Sequence, residues 1–166
     1  MMDISALSRR YRVRRMDDSD ADSILELCRG NTQYYLYCQA EPSREQILSD
    51  LHITPPGIDP SDKYYVGFYQ GNALVAVMDL IDGYPAPGIA FIGFFMMRKE
   101  FQGNQVGSAI IRETAAYLKT LGMTAIRLGI DKGNPQSTHF WKKNGFVVKE
   151  EIDRGDWTVL LAEKAL

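Results

Sequence analysis

FQGNQVGS, residues 101–108, marks the point at which an apolar strand turns into a helix. The apolar run before it predicts a strand over Ile89–Met97, and the apolar spacing after it predicts a helix that ends near Leu121. The first backbone N–H groups of a helix have no partner inside it, and the helix dipole makes that end electropositive. Because small residues let a ligand approach those groups closely, the turn predicts a binding site for a phosphate-bearing ligand. The alternative is a tight strand-to-helix connection in which the glycines only allow the turn conformation.

Two other phosphate-binding motifs are absent from the chain. No Lys-Ser or Lys-Thr follows a glycine turn, so the GxxxxGK[ST] motif of P-loop proteins is missing. The GxGxxG motif of dinucleotide-binding folds is missing as well, and the strand lies in the middle of the chain rather than at the start of a βαβ unit. The turn therefore belongs to neither of these nucleotide folds.

A second informative stretch, NPQSTHFWKKNGF, occupies residues 134–146 after a predicted strand over Ala125–Asp131. Asn134 and Pro135 are typical of the cap and the first position of a helix. Together, the two stretches resemble the GNAT superfamily of N-acetyltransferases. The family's second motif is Asn-x-x-Ala-x-x-Phe-Tyr-x-Lys-x-Gly-Phe, which residues 134–146 follow closely. The resemblance extends from about residue 12 to the C-terminus and is looser in the N-terminal third.

The first family motif, Gln/Arg-x-x-Gly-x-Gly/Ala, is matched by Gln102, Gln105 and Gly107. The resemblance implies acetyl-CoA as the cosubstrate and backbone amides late in the fourth strand as the groups that polarise its carbonyl. It places these residues against the cofactor: Phe95, Met96, Met97, Gln102, Gly103, Asn104, Gln105, Val106, Gly107, Ser108, Asn134, Ser137, Phe140, Trp141 and Lys143. A capping role for Asn134, core positions for the methionine and aromatic side chains, and a solvated position for Lys143 remain as alternatives.

Three positions depart from the family pattern. Gln105 stands where the family usually has its first motif glycine, and its side chain points away from a phosphate if the backbone keeps helical geometry. Trp141 replaces a tyrosine that many members use to protonate the departing CoA thiolate, and an indole N–H is not a usable acid near neutral pH. The family often carries a glutamate at positions that correspond to Phe91 and Gly129, so neither base is present.

The general base has two candidates, Asp79 and Asp131, each at or near the end of a predicted strand. A partly buried carboxylate has a raised pKa and accepts a proton from an ammonium group. A solvated strand-end position for Asp79 and a base that acts through water are the alternatives. Tyr84 is the candidate acid for the thiolate among the available phenols. Tyr34, Tyr35 and Tyr37 are predicted to wall the acceptor site.

The residue pattern predicts the element order β-α-α-β-β-β-α-β-α-β-β. Residues 11–16 read as a strand, residues 17–30 as a helix, residues 31–40 as irregular, and residues 54–62 as a proline-rich surface loop. Ser43 and Gln46 fit a reciprocal capping box at the second helix. Residues 146–152 and 157–162 form a closing hairpin. The resemblance implies an α/β fold, with a central mixed, mostly antiparallel twisted sheet of six to seven strands and helices on both faces.

The composition is typical of one globular domain over residues 1–166. Within it, residues 1–10 are the segment that can be disordered. The net charge of −2 gives no case for nucleic acid or an anionic membrane as a partner, and no apolar stretch is long enough to span one. Cys28 and Cys38 form no metal pattern and are expected to be reduced, so we expect no metal and a cytoplasmic location.

The leading hypothesis is an acetyl-CoA-dependent N-acetyltransferase that acts on a small or peptide-terminal primary amine in a ternary complex. A non-catalytic acyl-CoA-binding sensor or regulatory module is the alternative, motivated by Trp141 and the missing glutamates. An α/β domain that binds another phosphate ligand is a third interpretation. The resemblance is compatible with a homodimer, for which the C-terminal hairpin offers one surface.

Overall fold

A computed structural model of the protein describes residues 1–38 and 40–166 and contains one seven-stranded sheet. Its strands are β1 (Arg12–Arg15), β2 (Lys63–Gln70), β3 (Ala73–Asp82), β4 (Ile89–Met97), β5 (Ala125–Asp131), β6 (Val147–Asp153) and β7 (Thr158–Ala165). They lie in the order β1-β2-β3-β4-β5-β7-β6. Only β4 and β5 are parallel neighbours, so the mixed, mostly antiparallel sheet expected from the sequence is confirmed.

The helices among the described residues are α1 (Ala21–Arg29), α2 (Thr32–Tyr35), α3 (Arg44–His52), α4 (Val106–Thr120) and α5 (Pro135–Lys143). Short 3-10 turns cover Ile4–Leu7, Asp18–Asp20, Pro60–Asp62 and Lys99–Phe101. In the part of the chain that the structure describes, none of the helices is long and apolar enough to cross a membrane.

Each face of the sheet buries its own group of apolar side chains. On one face, α4 contributes Ile110, Ile111 and Leu118 to the core, and α5 adds Trp141. On the other face, α1 and α3 cover the β2, β3 and β4 side chains around Val77. Because β3 and β4 are covered on both sides, their residues are apolar almost throughout, as expected for central strands.

The sheet opens between β4 and β5, and this opening positions the site. Their parallel pairing covers four residue pairs and ends at Ile92 and Leu128. In the pairing of β3 with β4, Asp79 lies opposite Phe94 and Leu80 opposite Ile92, so Gly93 is an extra residue that forms a bulge. From Gly93 onward, β4 therefore diverges from β5 and leaves a cleft between the two strands.

Several local predictions need correction. Residues 32–35, predicted as irregular, form α2, and Pro60–Asp62 forms a 3-10 turn inside the predicted loop; Gln39 lies outside the described residues. The capping box at α3 is only half formed. Ser43 accepts a hydrogen bond from the Gln46 backbone N–H, but the Gln46 side chain donates to Asp50 instead of turning back.

Two further features concern the start of the chain and the end of α4. Residues 1–10 include the 3-10 turn at Ile4–Leu7, whose Leu7 is fully buried and whose carbonyl accepts a hydrogen bond from Thr114 on α4. Leu121, at the predicted end of this helix, is 46% exposed, and α4 ends at Thr120. Gly122 then adopts a positive φ of 82°, which suits a helix stop at glycine.

Candidate active site

Two adjoining cavities occupy the cleft between β4 and β5. The larger, of about 280 Å³, runs from the end of β4 to the start of α4 and along α5. The smaller, of about 50 Å³, lies deeper in the opening between the strands. Four residues line both cavities: Tyr34, Phe95, Ser137 and Trp141. The two cavities are therefore neighbouring parts of one site.

The predicted cofactor residues are nearly all brought together here. With two exceptions, they line the larger cavity: Phe95, Met96, Met97, Gln102, Gly103, Gln105, Val106, Gly107, Ser108, Ser137, Phe140, Trp141 and Lys143. Asn134 lines the smaller cavity. Asn104 is exposed and lines neither of them.

The N-terminus of α4 presents free donors to the larger cavity. Val106, Gly107 and Ser108 form its first turn, whose amides have no partner inside a helix. Among residues 1–38 and 40–166, no side chain accepts from these amides, and the first turn carries no acidic residue. A Cβ at Gly107 would lie 3.2 Å from the Phe140 ring and 3.4 Å from Met97, so glycine is needed for close packing. This arrangement suits an anionic ligand.

Gln105 differs from the sequence expectation. Its backbone is left-handed, with φ 58° and ψ 16°, so the helical geometry assumed for it is wrong. A non-glycine residue in this region carries a steric cost between its Cβ and the backbone. The residue also lines the larger cavity.

Replacing Gln105 by glycine is expected to raise the free energy of unfolding by about 1 kcal/mol, because glycine adopts this backbone conformation without the steric cost. Urea denaturation of wild type and Gln105→Gly measures the change. Asn104→Gly is the matched control: Asn104 has no positive φ, so the same change there is expected to destabilise the fold by about 0.5–1 kcal/mol. A destabilised Gln105→Gly would contradict the account of strain.

Asn134 is the most informative polar side chain of the cleft. It caps α5 by accepting a hydrogen bond from the Ser137 N–H at 3.1 Å. Its side-chain nitrogen, Nδ2, is buried and has no hydrogen-bond partner among the described residues. A buried amide donor without a partner is costly, so its occurrence indicates a position that a ligand completes.

Aromatic rings form the wall between the cavities and the core. Phe95 stacks on Phe140 at 6.0 Å between ring centroids, and Trp141 contacts Phe140 edge to face at 4.9 Å. Trp141 is 7% exposed and also packs on Phe146. Phe95, Phe140 and Trp141 therefore pack in or against the core and line the larger cavity at the same time.

A tyrosine, a cysteine and an aspartate lie together at the smaller cavity. Asp131 lines it from the end of β5, and the Cys38 thiol approaches Asp131 Oδ2 at 3.9 Å. Burial raises the pKa of Asp131, while the contact with Cys38 lowers it. Burial also raises the pKa of Tyr34 far above its ordinary value, so that hydroxyl stays protonated. A carboxylate whose pKa is raised by burial therefore lies at this cavity.

Asp79, the other candidate base, is not solvated and lines neither cavity. Its two carboxylate oxygens both accept from Lys63 Nζ at 2.7 Å, and both side chains are buried. The carboxylate lies 2.8 Å from the place that a Cβ at Gly93 would occupy. Asp79 therefore lies beside the bulge of β4, in the space that a side chain at Gly93 would occupy. Burial raises its pKa, and Lys63 opposes that rise.

The remaining predicted residues have distinct positions. Tyr84 contacts Phe91 edge to face at 5.3 Å between centroids and lines neither cavity, so the structure does not bring it to the cleft. Tyr34 lines both cavities, whereas Tyr35 packs beside it at 5.0 Å, and Tyr37 is 39% exposed. A Cβ at Gly129 would meet Val159 at 2.8 Å, which explains why β5 offers no side-chain base there.

The sequence did not identify Asn31, Gln136 and His139 as lining residues of the larger cavity. Gln136 and His139 belong to the same helix as Ser137 and Phe140, so helical spacing was a usable signal for them. Asn31 had no such signal, because its place depends on contacts with residues more than sixty positions away. Among the described residues, no group of three or more His, Cys, Asp or Glu side chains that could hold a metal ion is found.

Comparison with known proteins agrees with this geometry. Residues 24–146 match the model of the acetyltransferase (GNAT) family. The fold is similar to an acetyltransferase from Thermus thermophilus, with a TM-score of 0.75 and 20% identity over 94% of this chain and 97% of that chain. No curated protein matches the sequence.

Two further solved structures share the fold. One is the PaiA N-acetyltransferase from Thermoplasma acidophilum in complex with coenzyme A, with a TM-score of 0.68 and 20% identity over 94% of this chain and 99% of that chain. The other is the ribosomal-protein-S18-alanine N-acetyltransferase from Escherichia coli, with a TM-score of 0.67 and 10% identity over 93% of each chain.

Proposed function

Because the chain belongs to the acetyltransferase (GNAT) family, we propose that it transfers the acetyl group of acetyl-CoA to a primary amine. The amine attacks directly while both substrates are bound. The observation that carries the proposal is the buried Asn134 Nδ2, a hydrogen-bond donor without a partner among the described residues, in the opening between β4 and β5. A carbonyl of an extended, amide-containing arm such as pantetheine would satisfy it.

The donor set fits the other parts of the cofactor as well. The free amides of Val106, Gly107 and Ser108 suit the pyrophosphate, because a helix N-terminus favours negative charge. Lys143 lines the same cavity and adds a positive charge to it. From Gly93 onward, β4 has no paired residue in β5, so amides on that edge are suited to polarise the thioester carbonyl.

Acetyl-CoA supplies an activated thioester, so positioning an amine against its carbonyl accounts for much of the catalysis. Asp131 attracts the acceptor as an ammonium ion and takes its proton, which leaves the neutral amine to attack. Tyr34 stays a neutral phenol because burial raises its pKa, and it acts on the departing thiolate as a hydrogen-bond donor. As the C–S bond breaks, the attacking nitrogen releases its second proton to water, and the thiolate takes up a proton from water to leave as the CoA thiol.

Asn134→Ser separates the two roles of Asn134. Serine is also a preferred helix cap, so the free energy of unfolding is expected to stay within about 0.5 kcal/mol of wild type. The lost amide donor is expected to weaken acetyl-CoA binding about tenfold, the effect of one hydrogen bond of about 1.4 kcal/mol. Isothermal titration calorimetry and urea denaturation measure the two quantities. Unchanged affinity would show that Nδ2 does not contact the cofactor.

The acceptor class is tested with a panel of primary amines that includes amino acids, polyamines and peptides with free N-termini. The N-acetyltransferase from Escherichia coli described above acts on a protein alanine, which makes peptide N-termini one arm of the panel. Release of the CoA thiol is followed with a thiol reagent. Release that depends on an amine supports the proposal. Binding of acetyl-CoA without release for any amine would favour the non-catalytic acyl-CoA-binding module.

A further inference from the structure

Asn31 stands at the junction between α1 and α2, and its side-chain oxygen and nitrogen both form hydrogen bonds. It is 7% exposed. Its Nδ2 donates to the carbonyl of Leu27 at 2.9 Å and to the carbonyl of Met97 at 3.0 Å. Its Oδ1 accepts from Gln102 Nε2. One buried side chain thus joins the end of α1, the end of β4 and the turn that precedes α4.

Gln102 completes this network from the other side. It begins the cofactor turn, residues 102–105, which precedes α4. Its Nε2 also donates to the Met97 carbonyl at 3.2 Å, so the amides of Asn31 and Gln102 share one acceptor. The first residue of the motif at 102–107 therefore directs its side chain at the protein and not at a phosphate. Its side chain links the turn before α4 to the end of β4 and to Asn31.

The other side of Asn31 leads directly to the acceptor end of the cleft. Its backbone carbonyl accepts from the Tyr35 N–H and so begins α2. Tyr34 of α2 lines both cavities and contacts Phe94 at 6.4 Å between ring centroids. Cys38, three residues past α2, approaches Asp131. The segment 31–38 is thus fastened to the cofactor turn at one end and to the candidate base at the other.

We propose that Asn31 and Gln102 are positioning residues that couple the cofactor turn to the acceptor-site segment 31–38. Occupation of the α4 N-terminus holds residues 102–105 in place, which fixes Gln102, then Asn31, and then Tyr34 over the point of transfer. Coupling of this kind is reciprocal, so an acceptor that orders residues 31–38 also tightens the cofactor. The inference rests on the proposed function, because it takes CoA as the ligand of the turn.

Hydrogen exchange of the whole chain, with and without CoA, tests the coupling without an acceptor and without turnover. In wild type, CoA is expected to slow exchange of backbone amides both in residues 103–110 and in residues 31–38, in the latter by about tenfold, within the usual range of coupling between sites. Gln102→Met removes the hydrogen bonds and keeps the side-chain length. It is expected to retain the slowing in residues 103–110 and to lose it in residues 31–38.

Asn31→Ala is a second variant with the same expected result, and Gln46→Met is the matched control. Gln46 donates one exposed hydrogen bond to Asp50 on α3, away from the cofactor turn, so its replacement is expected to leave the CoA effect intact. Slowing in residues 31–38 that persists in Gln102→Met would overturn the coupling and leave the proposed function standing. No slowing in residues 103–110 of wild type would overturn the proposed function and this inference with it.

Discussion

Lys63→Met is expected to lower the free energy of unfolding by about 3–5 kcal/mol, because it leaves the buried carboxylate of Asp79 without its partner. The Lys63 side chain is 4% exposed, and its Nζ contacts both Asp79 oxygens at 2.7 Å. The surroundings offer little else to Asp79, since Gly93 adds no side chain on that side. Urea denaturation at neutral pH, with matching m-values, measures the loss.

The double variant Lys63→Met, Asp79→Leu is the control for this prediction. It removes both charges, so most of the lost stability is expected to return. The deficit of the single variant is also expected to shrink as the pH falls. Burial already raises the pKa of Asp79 in the folded protein, and without Lys63 the carboxyl takes up a proton more readily still. A single variant that loses less than about 1 kcal/mol would show that the pair does not behave as buried charges.

Asp131→Asn is expected to lower kcat by about 10²- to 10⁴-fold, the usual contribution of a general base. Acetyl-CoA affinity is expected to stay unchanged, because Asp131 does not line the larger cavity, which contains the free amides at the start of α4. The wild-type rate is expected to rise with pH through the pKa of Asp131, which burial places above the ordinary value of a carboxyl group. That limb of the profile is expected to be absent from the variant.

Stability separates this role from a structural one. Since burial raises the pKa of Asp131, the folded state binds its proton more tightly than the unfolded chain, and ionisation works against folding. The neutral asparagine is therefore expected to leave the melting temperature unchanged or raise it. Asp156→Asn, at an exposed acid in the β6–β7 turn, is the control and should retain full activity. A kcat for Asp131→Asn within about threefold of wild type, far less than a general base contributes, would remove Asp131 from the mechanism.

The lining of the larger cavity was predictable from sequence because the signals for it are local. A turn of small residues before α4, and Asn134 followed by Pro135 before α5, are signals contained within a few residues. The structure brings both helix starts to one cleft because they follow β4 and β5, the two parallel neighbours. The same locality explains why the order of the elements was recovered, with only the short α2 missing.

The remaining features depend on register and on distant partners. Asp79 is expected from sequence at or near a strand end, but the pairing of β2 with β3 places Lys63 against it across sixteen positions. Asn31 meets Gln102 across seventy-one positions, and nothing in either neighbourhood predicts the contact. The left-handed backbone of Gln105 could not be predicted from sequence either, because residues other than glycine rarely adopt a positive φ. Periodicity and caps do not report such tertiary effects.

Thermal unfolding with acetyl-CoA, CoA and ATP is the measurement that tests the central claim most directly, namely that the cleft between β4 and β5 binds acetyl-CoA. At about 100 times the dissociation constant, acetyl-CoA and CoA are expected to add about 2.7 kcal/mol of stability. For a chain of this size, that corresponds to a rise of about 5–10 °C in the midpoint. ATP, which lacks the pantetheine arm that would satisfy Asn134, is expected to give no comparable rise. No shift with acetyl-CoA, or an equal shift with ATP, would contradict the account.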